Sequence, residues 1–234
     1  MLTQYPNSLY NINIDLGGNF MFDRVQLKLQ AKQSLTGNWG VAIGTSIVGT
    51  LILSAASTAT GGGGVLLSGV ISVGLAIVML EIVRGWKVEF TDMFKGFQNF
   101  GTTFLAGLLV VLYTFLWSLL FIIPGIIKMY SYSMTSYILA DHPEMKPRDA
   151  LEASSVMMDG HKMDLFVLDF SFIGWYLLIP LTLGIAAFYV GPYMSATRAL
   201  FYEAIKDEKV AAPYTETELV GLSMMCYKIR KLRH

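Results

Sequence analysis

Two stretches without a single charged side chain, residues 35–80 and 101–127, decide what this chain can become. A soluble domain spreads about 25% Asp, Glu, Lys and Arg along its length. Here charged residues make up 15% and are excluded from both stretches. About 20 apolar residues in a helix cross the ~30 Å hydrocarbon core of a bilayer. Both stretches exceed that, and the first is long enough for two crossings. The composition excludes an ordinary soluble fold and gives an all-α transmembrane class.

Glycine and proline divide the apolar sequence into six expected spans, at about 39–57, 65–83, 102–123, 126–140, 163–179 and 183–200. They pair into three hairpins, with turns at the Gly-rich segment 58–64, at Pro124-Gly125 and at Pro180-Leu181-Thr182. Proline lacks the amide donor a helix needs, and glycine supplies turn geometry. An amphipathic segment precedes each hairpin. Residues 22–35 carry Phe22, Val25 and Leu29 on one helical face. Residues 84–100 repeat Phe90, Met93, Phe94 and Phe97 at helical spacing. Residues 147–160 set Leu151, Val156 and Met157 against Arg148, Glu152 and Asp159. Such patterns suit short helices lying in the membrane interface. The chain therefore reads as three copies of interfacial helix plus hairpin, an arrangement common in transporters and also a simple way to build any membrane bundle. Residues 1–21 read as an Asn-rich disordered tail, 22–207 as the membrane domain and 208–234 as a basic cytoplasmic tail.

Charge placement orients the model. With the N-terminus inside, the three outer turns carry no Lys or Arg, and all but one of the 17 basic residues, Lys128, belong to the inner side. The positive-inside rule asks for this asymmetry and places both termini in the cytoplasm. Trp39 and Trp86 then mark the inner interface, Trp117 and Trp175 the outer one. A net charge of zero gives no sign of a nucleic-acid partner, and the single Cys226 makes no intrachain disulfide. Residues 1–22 have no basic residue ahead of an apolar core, so they read as no signal peptide.

Several motifs resemble the domain-of-unknown-function 975 family. They are Leu35-Thr36-Gly37-Asn38-Trp39-Gly40, Ile122-Ile123-Pro124-Gly125-Ile126-Ile127-Lys128, Ser131-Tyr132-Ser133-Met134 followed by Tyr137-Ile138-Leu139-Ala140-Asp141, and Ser171-Phe172-Ile173-Gly174-Trp175. The resemblance covers roughly residues 23–207. It implies a bacterial polytopic integral membrane protein, distantly similar to the membrane domain of some glycerophosphodiester phosphodiesterases. It carries over no catalytic or ligand-binding residue, because none is established for that family.

The residues themselves offer one candidate intramembrane polar site: Asp169, Lys128, Tyr132, Ser133 and Tyr137. Asp169 lies six residues, about 9 Å, into the fifth span. An intramembrane carboxylate is costly and marks function, or else it bonds a neighbouring helix near the inner headgroups. Tyr130, Ser131, Tyr132, Ser133, Thr135, Ser136 and Tyr137 make the fourth span unusually polar; their hydroxyls line a substrate path or bond across helices. Glu81 and Arg84 have the spacing of an i,i+3 pair. His161 with Asp159 and Asp164 matches no standard metal pattern and reads as an interfacial polar cluster, and His142 as a helix stop. Gly61–Gly64 is a flexible turn, and Gly40 with Gly44 forms a GxxxG pair that allows close helix packing. The fourth and fifth spans are short for a bilayer, so their turns are expected to lie deep, leaving an outer recess with Lys128 at its rim, suited to an anionic lipid headgroup.

No Ser-His-Asp set, carboxylate pair or metal motif argues for an enzyme, and no cofactor is expected. The expected role is binding or transport of a small or amphipathic molecule in the bacterial cytoplasmic membrane, with the lipid bilayer as partner. The alternative is a structural, stress-response or immunity protein acting through partner contacts or bilayer perturbation.

Overall fold

The computed structural model describes residues 24–59, 64–182 and 184–211. The N-terminal tail, Phe22, residues 60–63 of the Gly-rich turn and the tail after residue 211 lie outside them. The described residues are helical, without strands: α1 (Arg24–Leu35), α2 (Trp39–Ala59), α3 (Gly64–Val83), a 3₁₀ helix η1 (Phe90–Phe97), α4 (Phe100–Leu120), α5 (Ile122–Ser131), α6 (Thr135–Asp141), α7 (Pro147–Met157), α8 (Lys162–Phe170), α9 (Ile173–Leu181) and α10 (Ile185–Ala211).

Among the described residues, three stretches are long and apolar enough to cross a membrane: Trp39–Ala59, Phe100–Leu119 and Lys162–Leu181, the last being α8 and α9 together. Only 17%, 11% and 17% of these stretches is buried within the protein. Large exposed apolar surface of this kind marks a face that meets lipid or another protein. Helix α3 is the opposite. Apolar on every side, it buries residues such as Val70, Ile71, Val78, Met79 and Ile82, as a helix without a polar face must. It packs against α1, α2, α4, α6, α10 and η1, and is the axis of the bundle.

Two glycine contacts fix its neighbours. A Cβ on Gly69 would stand 2.6 Å from Gly107 Cα, so α3 and α4 cross backbone against backbone. A Cβ on Gly96 would stand 2.8 Å from the Gly74 nitrogen, so η1 presses onto α3 in the same way. The GxxxG pair picked out in the sequence does not make such a crossing. Gly44 faces the Phe90 ring at 3.5 Å and Gly40 meets nothing.

All three amphipathic segments contain a helix. In α1 the buried positions are Leu27, Ala31 and Leu35, spaced by four residues, while Val25 and Leu29 point outward. The 3₁₀ helix buries Met93 and Gly96 and exposes Phe90 and Phe94. Helix α7 buries Ala150, Leu151 and Ser154.

Two expected spans contain a break, the second of them inside the membrane-length stretch Lys162–Leu181. Segment 126–140 is divided between α5 and α6 by a turn at Tyr132, Ser133 and Met134. Helix α5 begins at Ile122, and Pro124 sits in its first turn, where a missing amide costs no helical hydrogen bond. The break between α4 and α5 is therefore at Phe121, in extended conformation, rather than at Pro124-Gly125. The Ser131 and Ser133 hydroxyls donate to the carbonyls of Ile127 (2.9 Å) and Tyr130 (2.8 Å) at the break, competing with the helical ladder. Segment 163–179 is likewise divided between α8 and α9 at Ser171-Phe172. Pro180 lies inside α9, and the next corner includes Thr182 and Gly184, the glycine at φ 92°.

Helices α7 and α1 satisfy these breaks from outside. The Ser154 hydroxyl donates to the Ser131 carbonyl (2.8 Å) and accepts from the Met134 amide (3.2 Å). The Lys28 ammonium donates to the Ser171 carbonyl (3.1 Å) and lies 4.1 Å from the Phe172 ring centroid. Bare backbone groups cost several kcal/mol away from water, so an interrupted apolar helix needs such partners.

Candidate functional site

The glycine crossing of α3 and α4 leaves a hollow beside it. Helix α6 and the turn before it close the third side, giving a cavity of about 150 Å³. Its polar lining is Ser68, Ser72, Thr103, Tyr132, Thr135 and Ser136, and its apolar lining includes Val73, Ala106, Val110 and Leu139. The Ser72 and Ser136 hydroxyls are 2.9 Å apart, linking α3 to α6. Thr103 donates back to the Gly96 carbonyl at 3.2 Å. The Thr135 hydroxyl is buried and has no hydrogen-bond partner among the described residues.

Tyr132 also lines a second cavity, of about 260 Å³, with Tyr113, Arg148, Leu151, Glu152 and Ser155. Tyr113 stands 6.3 Å away, ring to ring. The Lys128 ammonium is 5.3 Å from the Trp117 ring centroid and 5.9 Å from that of Tyr132, within cation–π range.

The other expected site residues lie elsewhere. Asp169 is held by Arg198 of α10 in a two-pronged pair, Nε to Oδ1 at 3.1 Å and Nη2 to Oδ2 at 2.7 Å, with Tyr130 donating to Oδ2 at 3.3 Å. Its partner is thus Arg198, not Lys128. The Ser133 hydroxyl is taken up by the break between α5 and α6. Tyr137 donates to the Ser195 carbonyl at 3.3 Å and stacks on Tyr202 at 5.6 Å.

A third polar group joins the ends of α3 and α6 to the side of α10. Arg84 donates to Glu203 Oε1 from Nε (3.0 Å) and Nη2 (2.6 Å), and to Asp141 Oδ2 from Nη2 (2.7 Å). Lys206 lies 2.8 Å from Glu203, and Tyr202 donates to Asp141 at 3.0 Å. Two basic and two acidic side chains cancel. Burial raises the Asp141 carboxyl, but the hydrogen bond and charge of Arg84 outweigh it and hold the group below its ordinary value. This geometry corrects the expected Glu81–Arg84 pair: Glu81 is bonded instead by Lys95 of η1 at 3.0 Å. Lys95 also meets Asp92 at 2.8 Å. His161 lies 3.4 Å from Asp164 and Lys162 lies 3.2 Å from Asp159, while His142 caps the end of α6.

One family comparison decides kinship. The family described as Protein of unknown function (DUF975) matches residues 21–131 and 120–209, well over half of the chain. The chain belongs to that family. No curated protein and no solved structure matches it.

The sequence did not single out Arg198, Ser72 or Thr103; it placed Arg148 only on the polar face of an amphipathic segment and Arg84 only beside Glu81. Arg198 carried a signal, as the one basic residue inside the expected sixth span. No local signal marks the partners of Arg84, which lie 57 and 119 residues away.

Proposed function

We propose that this protein is a non-enzymatic, six-span protein of the bacterial cytoplasmic membrane that binds or moves a small polar or amphipathic molecule through the cavity between α3, α4 and α6. In this reading α2 with α3, α4 with α5 and α6, and α8 and α9 with α10 form the three hairpins, and both termini face the cytoplasm. The placement of basic residues supports that orientation.

The observation that carries the reading is the unpartnered Thr135 hydroxyl in a hydroxyl-lined cavity. A buried polar group left bare costs about 1–3 kcal/mol, which a bound ligand group recovers. A cavity of about 150 Å³ accommodates a benzene-sized group. It suits the head of an amphipath or a small solute, not a whole lipid.

The test is native mass spectrometry of protein purified from bacterial membranes in mild detergent, wild type beside Ser72→Leu/Ser136→Leu, which fills the cavity. A small molecule retained by the wild type and lost from the folded variant supports the reading. Identical spectra overturn it and favour a role through partner contacts.

A further inference from the structure

We propose that the second cavity, between α4, α7 and the turn after α5, is a binding site for the phosphodiester of a membrane phospholipid. The inference rests on the membrane location proposed above and is independent of the cavity between α3, α4 and α6.

Two cations converge on one aromatic wall. Arg148 lines the cavity directly. Lys128 does not line the cavity itself, but its ammonium stands 5.9 Å from the ring centroid of Tyr132, which does. Among the described residues neither cation has a carboxylate within ion-pairing distance, although Glu152 follows Arg148 by one helical turn and lines the same cavity. Five other cations in the bundle, Arg84, Lys95, Lys162, Arg198 and Lys206, each meet Asp or Glu. With Lys128, Arg148 and Glu152 together, the site carries one net positive charge, which matches a phosphodiester carrying one negative charge. Guanidinium binds phosphate oxygens in a fork, ammonium acts as a point charge, and the Tyr113 and Ser155 hydroxyls add donors.

The surroundings fit a lipid better than a free ion. One turn beyond Tyr113 on α4, Leu116 is 57% exposed and Trp117 40%; beside Lys128 on α5, Ile127 is 48% exposed and Met129 50%. An acyl chain leaving the cavity thus finds apolar surface. The site also revises the outer recess expected from sequence, because α7 supplies the second cation and docks at the turn only four residues beyond Lys128.

The experiment is native mass spectrometry of detergent-purified full-length protein titrated with phosphatidylglycerol, with phosphatidylethanolamine and inorganic phosphate as separate arms. The expected result is one tightly held phosphatidylglycerol. Lys128→Gln and Arg148→Gln should each weaken it about tenfold, the loss of one charged contact. Lys128→Arg should keep it, and Glu152→Gln should keep or strengthen it. Ser72→Leu/Ser136→Leu should leave it unchanged, which separates this site from the other cavity. Unfolding curves show whether the glutamine variants remain folded; if either does not, Glu152→Gln and Lys128→Arg decide. Equal binding by folded wild type and glutamine variants overturns the proposal, as does weakened binding in Glu152→Gln. Inorganic phosphate displacing the lipid at millimolar concentration would identify a free-anion site and refute the lipid. Preference for phosphatidylethanolamine would refute the net-charge argument.

Discussion

Replacing Arg84 by methionine removes the side chain that ties the ends of α3 and α6 to Glu203 of α10. Its side chain is 8% exposed, and its partners Glu203 and Asp141 are 2% and 15% exposed, so solvent screens little of the interaction. Removing one partner of a buried ion pair costs about 3–5 kcal/mol, because the remaining charge stays buried and uncompensated. Lys206 tempers this: it remains 2.8 Å from Glu203, although 3.9 Å from Asp141. The expected loss is therefore at the lower end, about 3 kcal/mol. For a chain of this size that corresponds to a fall of about 6–12 °C in the unfolding midpoint. Arg84→Lys keeps the charge but not the fork that reaches both acids, and should lose about half as much. Adding Glu203→Gln to Arg84→Met removes one stranded charge, so the double variant should be no less stable than Arg84→Met alone. The assay is thermal unfolding in a fixed detergent, followed by tryptophan fluorescence. A midpoint for Arg84→Met within 2 °C of wild type would refute the claim that this cluster joins the helix ends.

Gly69→Ala forces a methyl group against the Gly107 backbone and should cost about 1–3 kcal/mol, read from the same unfolding curves; Gly40→Ala, facing open space, should cost almost nothing. Stability should fall in acid: Asp141 titrates below its ordinary value of 3.8, so the stabilisation is complete above about pH 4 and is lost as pH drops through the folded-state value. Lys95, hydrogen-bonded by Asp92 and Glu81, titrates above its ordinary 10.5, so its stabilisation is complete below that pH and lost only at stronger alkali. A midpoint that declines steadily between pH 5 and 9 would contradict both assignments. Reporter fusions within residues 84–100 and after Asp207 should both read as cytoplasmic; an external reading at either site would overturn the six-span topology.

The helical class and the positions of a few elements could be read from the sequence because they follow from local features. Charge-free runs, the Gly-rich segment and the spacing of Phe90, Met93 and Phe97 each act within a few residues. The positions of α2, α3 and η1 came from these alone. Local features also misled where a second partner decides the outcome. Pro124 looks like a helix breaker, yet in the first turn of α5 it is compatible with a helix start. Ser131 and Ser171 look like ordinary polar residues in a span, and their breaks depend on Ser154 and Lys28, which the sequence places far away. Glu81 and Arg84 have the right spacing to pair, but each has a closer partner on another element. The polar character of the fourth span was visible; that Tyr132 would wall two cavities while Ser133 and Tyr137 served backbone and packing was not. Side-chain destination is a property of the assembled bundle.

The two broken helices differ in when they can be completed during synthesis. Lys28 precedes Ser171 by 143 residues, so the cap for the second break already exists when that break is made. Ser154 follows Met134 by 20 residues, so the first break emerges before its cap. In the interval the Ser131 carbonyl and the Met134 amide have no protein partner and must stay hydrated. The α5–α6 turn is thereby delayed from settling into an apolar setting until α7 arrives, which makes α5, α6 and α7 a single unit of folding.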